Sequence, residues 1–543
     1  MSVQKKNNIL VQGSILAVAS ILVRLIGVIY RVPMSNILGE EGNGIYSVAF
    51  NIYNTALIIS SYSLPLAVSK LVSARTVKKE YRNAFHIFKH ALLFAVIAGL
   101  IAALVIFFGA DFFEKIYARA GLSRPLRILA PTLFVVALLG VFRGLFQGKG
   151  TMFPTAVSQI IEQIVNAVVS VYAAYSFMSA HSASMEISAY GAAGGTLGTL
   201  SGAVSALCLF IFVFVLNYTL FRKQMRRDRT RYQESTGEQY RILILTIIPV
   251  ILSQTVYQIG ITIDDALFGN IMSSKGITDE VVSSLQGVYN SQYILLVNVP
   301  LSIATAMATS TIPSIVASIE SNQMQAVKEK IASVIKFNMV IAFPSAVGLS
   351  VMAQPIIRLL FPRLVNYQDT AIDLMIFGSA AVVFFAYSTI TSGILQGMNC
   401  MSLPVIHNAI SLIVHIILMF VLLQFTNLGV YVLIIGNVTF PILVCILNWR
   451  SIRQKLNYHQ EMKKTFLVPM IASAFMGIAA FGVCRLLRLV IQSSLVETIV
   501  GILVAVAVYF IGIFLLRCFS TEEIYNLPCG RTLARVAGKL HLL

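Results

Sequence analysis

The sequence predicts an all-α protein that crosses a membrane many times. Hydrophobic residues make up 57% of the 543 residues and charged residues only 11%, and the mean hydropathy is +0.82. These values exclude an ordinary soluble globular domain. Apolar runs of about 18 residues or more recur along the chain, and a helix of that length crosses a hydrocarbon core of roughly 30 Å.

The apolar runs predict about fourteen transmembrane helices. The first run begins after MSVQKKNN and lacks the short apolar region and cleavage site of a signal peptide, so we expect it to be retained as a helix. The predicted segments are 9–34, 44–72, 90–110, 126–147, 153–178, 190–220, 241–270, 283–318, 337–360, 370–397, 403–425, 428–448, 465–486 and 495–517.

The distribution of lysine and arginine predicts the orientation in the membrane. The net charge is +18, and the basic clusters follow even-numbered helices, at 73–89, 221–231 and 449–464. The positive-inside rule places these loops and both termini in the cytoplasm. Nucleic-acid binding is excluded as an explanation of the charge because no hydrophilic segment is long enough to form a basic domain.

An internal repeat predicts two lobes. GLFQGKGTMFP at 144–154 recurs as GILQGMNCMSLP at 393–404, and GIYS at 44–47 recurs as GVYN at 287–290. Six helices per copy is an even number, so both copies enter the membrane in the same direction and form parallel repeats of a two-lobed transporter.

The predicted domains follow from this repeat and from the basic loops. Two six-helix lobes are joined by a basic cytoplasmic linker, and a second basic linker precedes two accessory helices and a cytoplasmic tail. The boundaries are 1–220 and 241–448 for the lobes, 221–240 and 449–464 for the linkers, 465–517 for the accessory helices and 518–543 for the tail.

Two arginines interrupt the first apolar segment, SILVRLIGVIYRVP. The spacing of seven places Arg24 and Arg31 on one helical face, about two turns apart. An intramembrane arginine usually faces a bundle interior or an aqueous cavity, and its planar fork suits phosphate. Two alternatives stay open: Arg31 extends to the outer interface, and Arg24 pairs with an intramembrane acid for structure.

The fifth segment carries a second polar face, formed by Gln159, Glu162, Gln163 and Asn166 in SQIIEQIVNAVVS. These side chains must avoid lipid. They are candidates for substrate binding, and the alternative is polar contact between packed helices.

Further polar residues lie in the seventh and eleventh segments. Gln254 and Tyr257 are candidate substrate contacts, and Asp264 and Asp265 are candidates for coupling to Na⁺ or H⁺. The alternative for the two carboxylates is a solvated interfacial role. Asn408 is a further candidate for ion coupling, although it lies among polar residues that commonly pack helices together.

Enzymatic chemistry has no support in the sequence. There is no hydrolase elbow, no phosphate-binding glycine loop and no His/Cys/Asp cluster with metal-ligand spacing, and the six cysteines are scattered. We therefore predict no enzyme activity and no cofactor, and the sequence indicates no metal-binding residues.

The N-terminal motifs resemble a known family. RLIGVIYRVP, then LGEEGNGIYSVAF, then SLPLAVSKLVS with a basic loop, is similar to the start of the polysaccharide transporters related to stage V sporulation protein B. These are relatives of the MurJ-type lipid II flippases in the multidrug/oligosaccharidyl-lipid/polysaccharide exporter superfamily. The resemblance extends across the chain, and Arg24 and Arg31 match the family's first-helix arginines. The acidic residue and second-helix arginine of MurJ-type proteins are absent around Asn43 and Ser60.

The resemblance implies alternating access by two lobes, a cationic cavity for a lipid-linked saccharide diphosphate and a groove near the C-terminal helices for its polyprenyl tail. We therefore expect a flippase for a lipid II-like cell-wall precursor in a bacterial cytoplasmic membrane. Expected partners are a polyprenyl-linked saccharide, membrane lipids and enzymes of cell-wall synthesis. The alternatives are a multidrug or organic-cation antiporter of the same fold, and a membrane-embedded glycosyltransferase.

Overall fold

The computed structural model is helical throughout the part of the chain that it describes. That part is residues 3–519 without 229, 231–233, 321–322, 399 and 492, and it contains no β-strand. Within the helices, the description excludes the side chains of 3–14, 17–18, 249–250, 252–254, 256–257, 308–314, 316–317 and 320. The chain divides into two compact units, Met1–Gly287 and Val288–Leu543.

The first unit is a bundle of long helices. In chain order they are α1 Val3–Ser60, α2 Leu64–Val77, α3 Tyr81–Ile116, α4 Ser123–Gly148, α5 Phe153–Ala180, α6 Ile187–Arg226, α7 Thr236–Ser274 and α8 Asp279–Gly287.

Helix α1 contains the first predicted segment, 9–34, and most of the second, 44–72, which continues into α2; a kink separates the two segments. Gly39 interrupts the helical backbone at φ 68° and ψ −174°. Glycine suits this position because a side chain is disfavoured at positive φ. The kink therefore divides α1 into two helical arms.

The same unit extends beyond the lobe that the repeat predicts. It includes α7 and α8, because α8 packs closely on the second arm of α1: a Cβ at Gly44 would lie 1.9 Å from the carbonyl oxygen of Ser283. The division into lobes at 1–220 and 241–448 stays a prediction based on the repeat.

Helix α3 shows how the bundle meets lipid. Its inward face is built from small residues such as Ala91, Ala95 and Gly99, whereas Ile97, Ile101 and other large apolar side chains are exposed. The small residues let neighbouring helices approach closely, as is common in membranes. The exposed apolar stripe is what a helix in contact with acyl chains requires.

The predicted basic linker between α6 and α7 is anchored to the first unit by acidic residues. Glu234 forms an ion pair with Arg75 at 2.8 Å, with both side chains about nine-tenths buried. Asp228 accepts a hydrogen bond of 2.7 Å from the backbone amide of Arg82. These contacts hold Asp228 and Glu234 against the end of α2 and the start of α3.

The second unit begins with a π-helical segment, Val288–Ile294, and a further π-helical segment, Lys463–Leu467, precedes α16. Its α-helices are α9 Leu295–Glu320, α10 Met324–Val351, α11 Ala353–Leu360, α12 Gln368–Gly378, α13 Ala381–Gly397, α14 Ser402–Phe425, α15 Tyr431–Leu456, α16 Val468–Val490 and α17 Ser494–Leu515. The predicted accessory pair corresponds to α16 and α17. These two helices share a small core that includes Met476 and Ala505, against Val347 of α10.

The all-helical, multi-span class is confirmed, whereas the count of fourteen is not. In the described residues, ten helices are long and apolar enough to cross a membrane, or eleven if the pair α12 and α13, bent by 47°, forms one span. The repeated sequences both lie where one helix ends and the next begins, between α4 and α5 and between α13 and α14.

Candidate functional site

The two polar faces predicted for the first unit lie against each other. A Cβ at Gly27 of α1 would lie 3.3 Å from Nε2 of Gln163 on α5. One turn further on, Nδ2 of Asn166 donates to the hydroxyl of Tyr30 at 3.4 Å. Two of the predicted residues on α5 therefore contact the helix that carries the arginines.

These two contacts define the depth of Arg24. Both join positions that differ by 136 in sequence, so α1 and α5 run parallel in this region. The same offset places Arg24 level with residue 160, in the turn of α5 that carries Gln159 and Glu162. Arg24 is exposed and Gln159 is half-buried, with an Oε1 atom that has no hydrogen-bond partner among the described residues.

Arg31 lies two turns beyond Arg24 and has an aromatic neighbour. Its guanidinium carbon is 5.7 Å from the centre of the Phe50 ring, which lies in the second arm of α1. A cation within about 6 Å of a ring face is attracted by the ring quadrupole. This contact holds a half-buried charge near the kink of α1.

A third arginine joins this polar face, and we did not single it out from the sequence. Arg143 of α4 forms an ion pair with Glu162 at 2.6 Å, and the exposed fractions of the two side chains are 14% and 28%. Its Nη2 atom also lies 3.2 Å from Oγ of Ser158. The sequence carries a signal for this residue, because Arg143 lies inside the apolar segment 126–147 just as Arg24 lies inside the first apolar segment.

The predicted carboxylates of α7 have different environments. Asp264 is half-buried, while Asp265 is 5% exposed and accepts a hydrogen bond of 2.7 Å from Asn51. Its other oxygen accepts a short hydrogen bond from Gln286 of α8. Asp265 is buried, whereas the interfacial alternative requires a solvated carboxylate. Coupling of these carboxylates to an ion stays a prediction.

Gln286 links Asp265 to a buried cation. Its Oε1 atom accepts hydrogen bonds from Arg119 at 3.2 and 2.6 Å. Arg119 lies in the loop between α3 and α4 and is 1% exposed, and this burial lowers the pKa of its guanidinium to about 10, although Asp265 and Asp279 act to raise it. The arginine therefore stays protonated at neutral pH and forms a closed network with Gln286 and Asp265. No sequence signal predicts the burial of Arg119, because this residue lies in a loop.

The remaining predicted residues are Gln254, Tyr257 and Asn408. The side chains of Gln254 and Tyr257 lie outside the described part of the structure. Asn408 is half-buried on α14 of the second unit. Its neighbour His407 is bonded through Nδ1 to Asn448 at 2.7 Å, a contact that packs α14 against α15.

The second unit contains an apolar cavity of about 750 Å³. Helices α10, α13, α15 and α16 form most of its wall, through side chains that include Phe343, Phe384, Trp449 and Met470. Its few polar groups include Tyr387 and Gln460. A cavity of this size lies within the range of small-molecule sites, and its lining suits a hydrocarbon ligand.

Among the described residues, no group of three or more His, Cys, Asp or Glu side chains could hold a metal ion.

Comparison with known proteins places this arrangement in a family. The family model described as polysaccharide biosynthesis protein matches residues 9–319, more than half of the chain. The chain belongs to this family. The predicted relationship to MurJ-type proteins and to stage V sporulation protein B is thereby confirmed.

Curated relatives from Bacillus subtilis (strain 168) match over most of the chain. The lipid II flippase MurJ is 24% identical over 476 residues, which are 86% of each protein. Stage V sporulation protein B is 22% identical over 530 residues, 96% of this chain and 98% of the relative.

Solved structures share the fold. The inward closed conformation of the lipid II flippase MurJ has a TM-score of 0.62 at 16% identity, covering 92% of this chain and 97% of that one. An inward-facing multidrug resistance MATE family transporter has a TM-score of 0.66 at 14% identity, covering 81% and 98%. The protein is a multi-pass membrane protein of the polysaccharide biosynthesis family, and it shares the fold of MurJ and MATE structures.

Proposed function

We propose that the protein translocates a polyprenyl diphosphate saccharide, similar to lipid II, from the inner to the outer leaflet of a bacterial cytoplasmic membrane by alternating access. The observation that carries this proposal is the polar face of the first unit, where Arg24, Arg31 and Arg143 lie on helices long enough to cross the bilayer. A diphosphate cannot enter hydrocarbon unaided, and fixed guanidinium groups replace part of its hydration.

The apolar cavity of the second unit supports the same substrate class. Its volume of about 750 Å³ and its lining of aromatic and aliphatic side chains suit part of a long prenyl chain. We infer that a prenyl chain can occupy this cavity. The basic segments between α2 and α3, α6 and α7, and α15 and α16 support a cytoplasmic location for both termini.

A multidrug or organic-cation antiporter is the second candidate, because a MATE family transporter shares the fold and Glu162 is an intramembrane carboxylate. The ion pair of Glu162 with Arg143 disfavours it, since the pair has no net charge to attract a cation. Arg24 and Arg31 would repel one. The flippase is therefore the better match to the charges of this face.

Reconstitution into liposomes tests the proposal directly. Fluorescent lipid II and other polyprenyl diphosphate saccharides would be compared with cationic dyes in the same vesicles, with empty liposomes as the control. We expect translocation of the diphosphate lipids. Transport of the dyes alone would contradict the flippase and favour the antiporter.

A further inference from the structure

The ion pair between Arg143 and Glu162 places a carboxylate where the proposed function requires an anionic headgroup to bind. An anionic substrate is repelled by a carboxylate, yet Glu162 is part of the polar face that carries the arginines. Its carboxylate is 2.6 Å from Nη2 of Arg143. Both side chains retain solvent-accessible surface, 14% for Arg143 and 28% for Glu162, so a ligand can approach the pair without unfolding the bundle.

We propose that Glu162 is an internal competitor that occupies Arg143, is displaced by the phosphate of the substrate and returns to Arg143 when the headgroup is released. This inference rests on the proposed function and adds a cationic headgroup contact, Arg143, together with its internal competitor. The carboxylate oxygen and a phosphate oxygen are both anionic acceptors for the same guanidinium N–H group. Arg143 can therefore exchange one for the other.

The competitor has a purpose in a transport cycle, because the headgroup must leave as well as bind. Without a ligand, the carboxylate of Glu162 satisfies Arg143, and it can return to the guanidinium when the phosphate departs. The cost of displacing Glu162 is subtracted from the affinity for a phosphate ligand. It therefore shortens the time for which the headgroup stays bound and still allows the contact with Arg143.

The surroundings of Arg143 support exchange rather than a purely structural pair. Ser158 lies 3.3 Å from Nε and 3.2 Å from Nη2, so the guanidinium keeps a neutral acceptor when the carboxylate leaves. The register of α1 with α5 places Arg24 level with the turn of α5 that carries Gln159 and Glu162. Two guanidinium groups at one depth suit a headgroup with two phosphates.

Equilibrium binding to the purified full-length protein in detergent tests this idea with two probes, farnesyl diphosphate and short-chain phosphatidylglycerol. In Glu162→Gln we expect phosphatidylglycerol to bind about tenfold more tightly, the effect of removing one charge-assisted hydrogen bond that competes with the ligand. Farnesyl diphosphate should gain by a similar factor, because it displaces the same carboxylate. Arg143→Gln should weaken binding of farnesyl diphosphate by about tenfold.

The double variant Arg143→Gln with Glu162→Gln guards against a folding artefact, because two amides can still bond to each other. In this background, loss of the carboxylate should give no gain for either probe. Asp111→Asn is the matched control, since it removes a carboxylate from an exposed ion pair with Arg127 elsewhere in the same unit. It should change neither affinity.

The outcomes separate this inference from the proposed function. Unchanged or weaker phosphatidylglycerol binding by Glu162→Gln, or a gain that persists in the double variant, would overturn the role of Glu162. Failure of the wild type to translocate any polyprenyl diphosphate saccharide in liposomes would overturn the proposed function instead. In that case a gain of phosphatidylglycerol binding in Glu162→Gln would still support the competition at Arg143.

Discussion

The network of Arg119, Gln286 and Asp265 predicts a large stability defect from the loss of one neutral side chain. Gln286 is fully buried, accepts two hydrogen bonds from Arg119 and donates one to Asp265. In Gln286→Ala, a guanidinium that is 1% exposed and a carboxylate that is 5% exposed lose the amide that joins them. Breaking a buried charged network costs about 3–5 kcal/mol.

We expect the free energy of unfolding of Gln286→Ala, measured by denaturant titration of the purified protein in detergent, to fall by about this amount. Gln325→Ala is the matched control, because Gln325 is exposed and bonds to Glu329, one turn away, at 3.0 Å. Surface substitutions of this kind usually change stability by less than about 0.5 kcal/mol. Equal stability of the two variants would refute the idea that the network holds α8 and the α3–α4 loop in place.

Three further predictions concern orientation and transport. In a cysteine-free background, a cysteine replacing Met185, which is fully exposed, should react with an impermeant thiol reagent from outside intact cells, and one replacing Thr236 should not; the reverse result would invert the topology. Arg24→Lys should lose most lipid flipping in liposomes and Arg24→Ala more, because an ammonium cannot reproduce the guanidinium fork; full flipping by well-folded Arg24→Ala would exclude phosphate binding there. Asp264→Asn should abolish the dependence of flipping on an imposed Na⁺ or H⁺ gradient, and an unchanged dependence would exclude this carboxylate from coupling.

The helical class and several polar faces could be predicted from the sequence because a membrane restricts the choices. Each crossing segment must satisfy its own backbone hydrogen bonds, so long apolar runs predict helices. Polar residues in such runs must turn away from lipid, which explains why Gln163 and Asn166 contact α1 as their spacing suggested. The first predicted segment and the start of the second lie in one helix, α1, which bends at Gly39.

The partners of the charged residues could not be predicted in the same way. Arg143 and Glu162 are 19 residues apart on different helices, and Arg119 and Gln286 are 167 apart. A periodic pattern reports which face of a helix is polar but carries no information about the neighbour that meets it. The sequence places Asp264 and Asp265 side by side in α7 and does not distinguish them. The burial of Asp265 depends on Asn51 of α1 and Gln286 of α8.

The arginines of the first unit differ in how readily an anion can bind to them. Arg119 is held by a neutral amide in a closed, buried network, so an anion cannot reach it without opening the bundle. Arg31 lies beside an aromatic ring, which attracts the cation through its quadrupole. Arg143 is held by a carboxylate that a phosphate can replace. The first environment suits structure, whereas the other two suit a charged headgroup that must bind and then leave, because neither contact commits the guanidinium irreversibly.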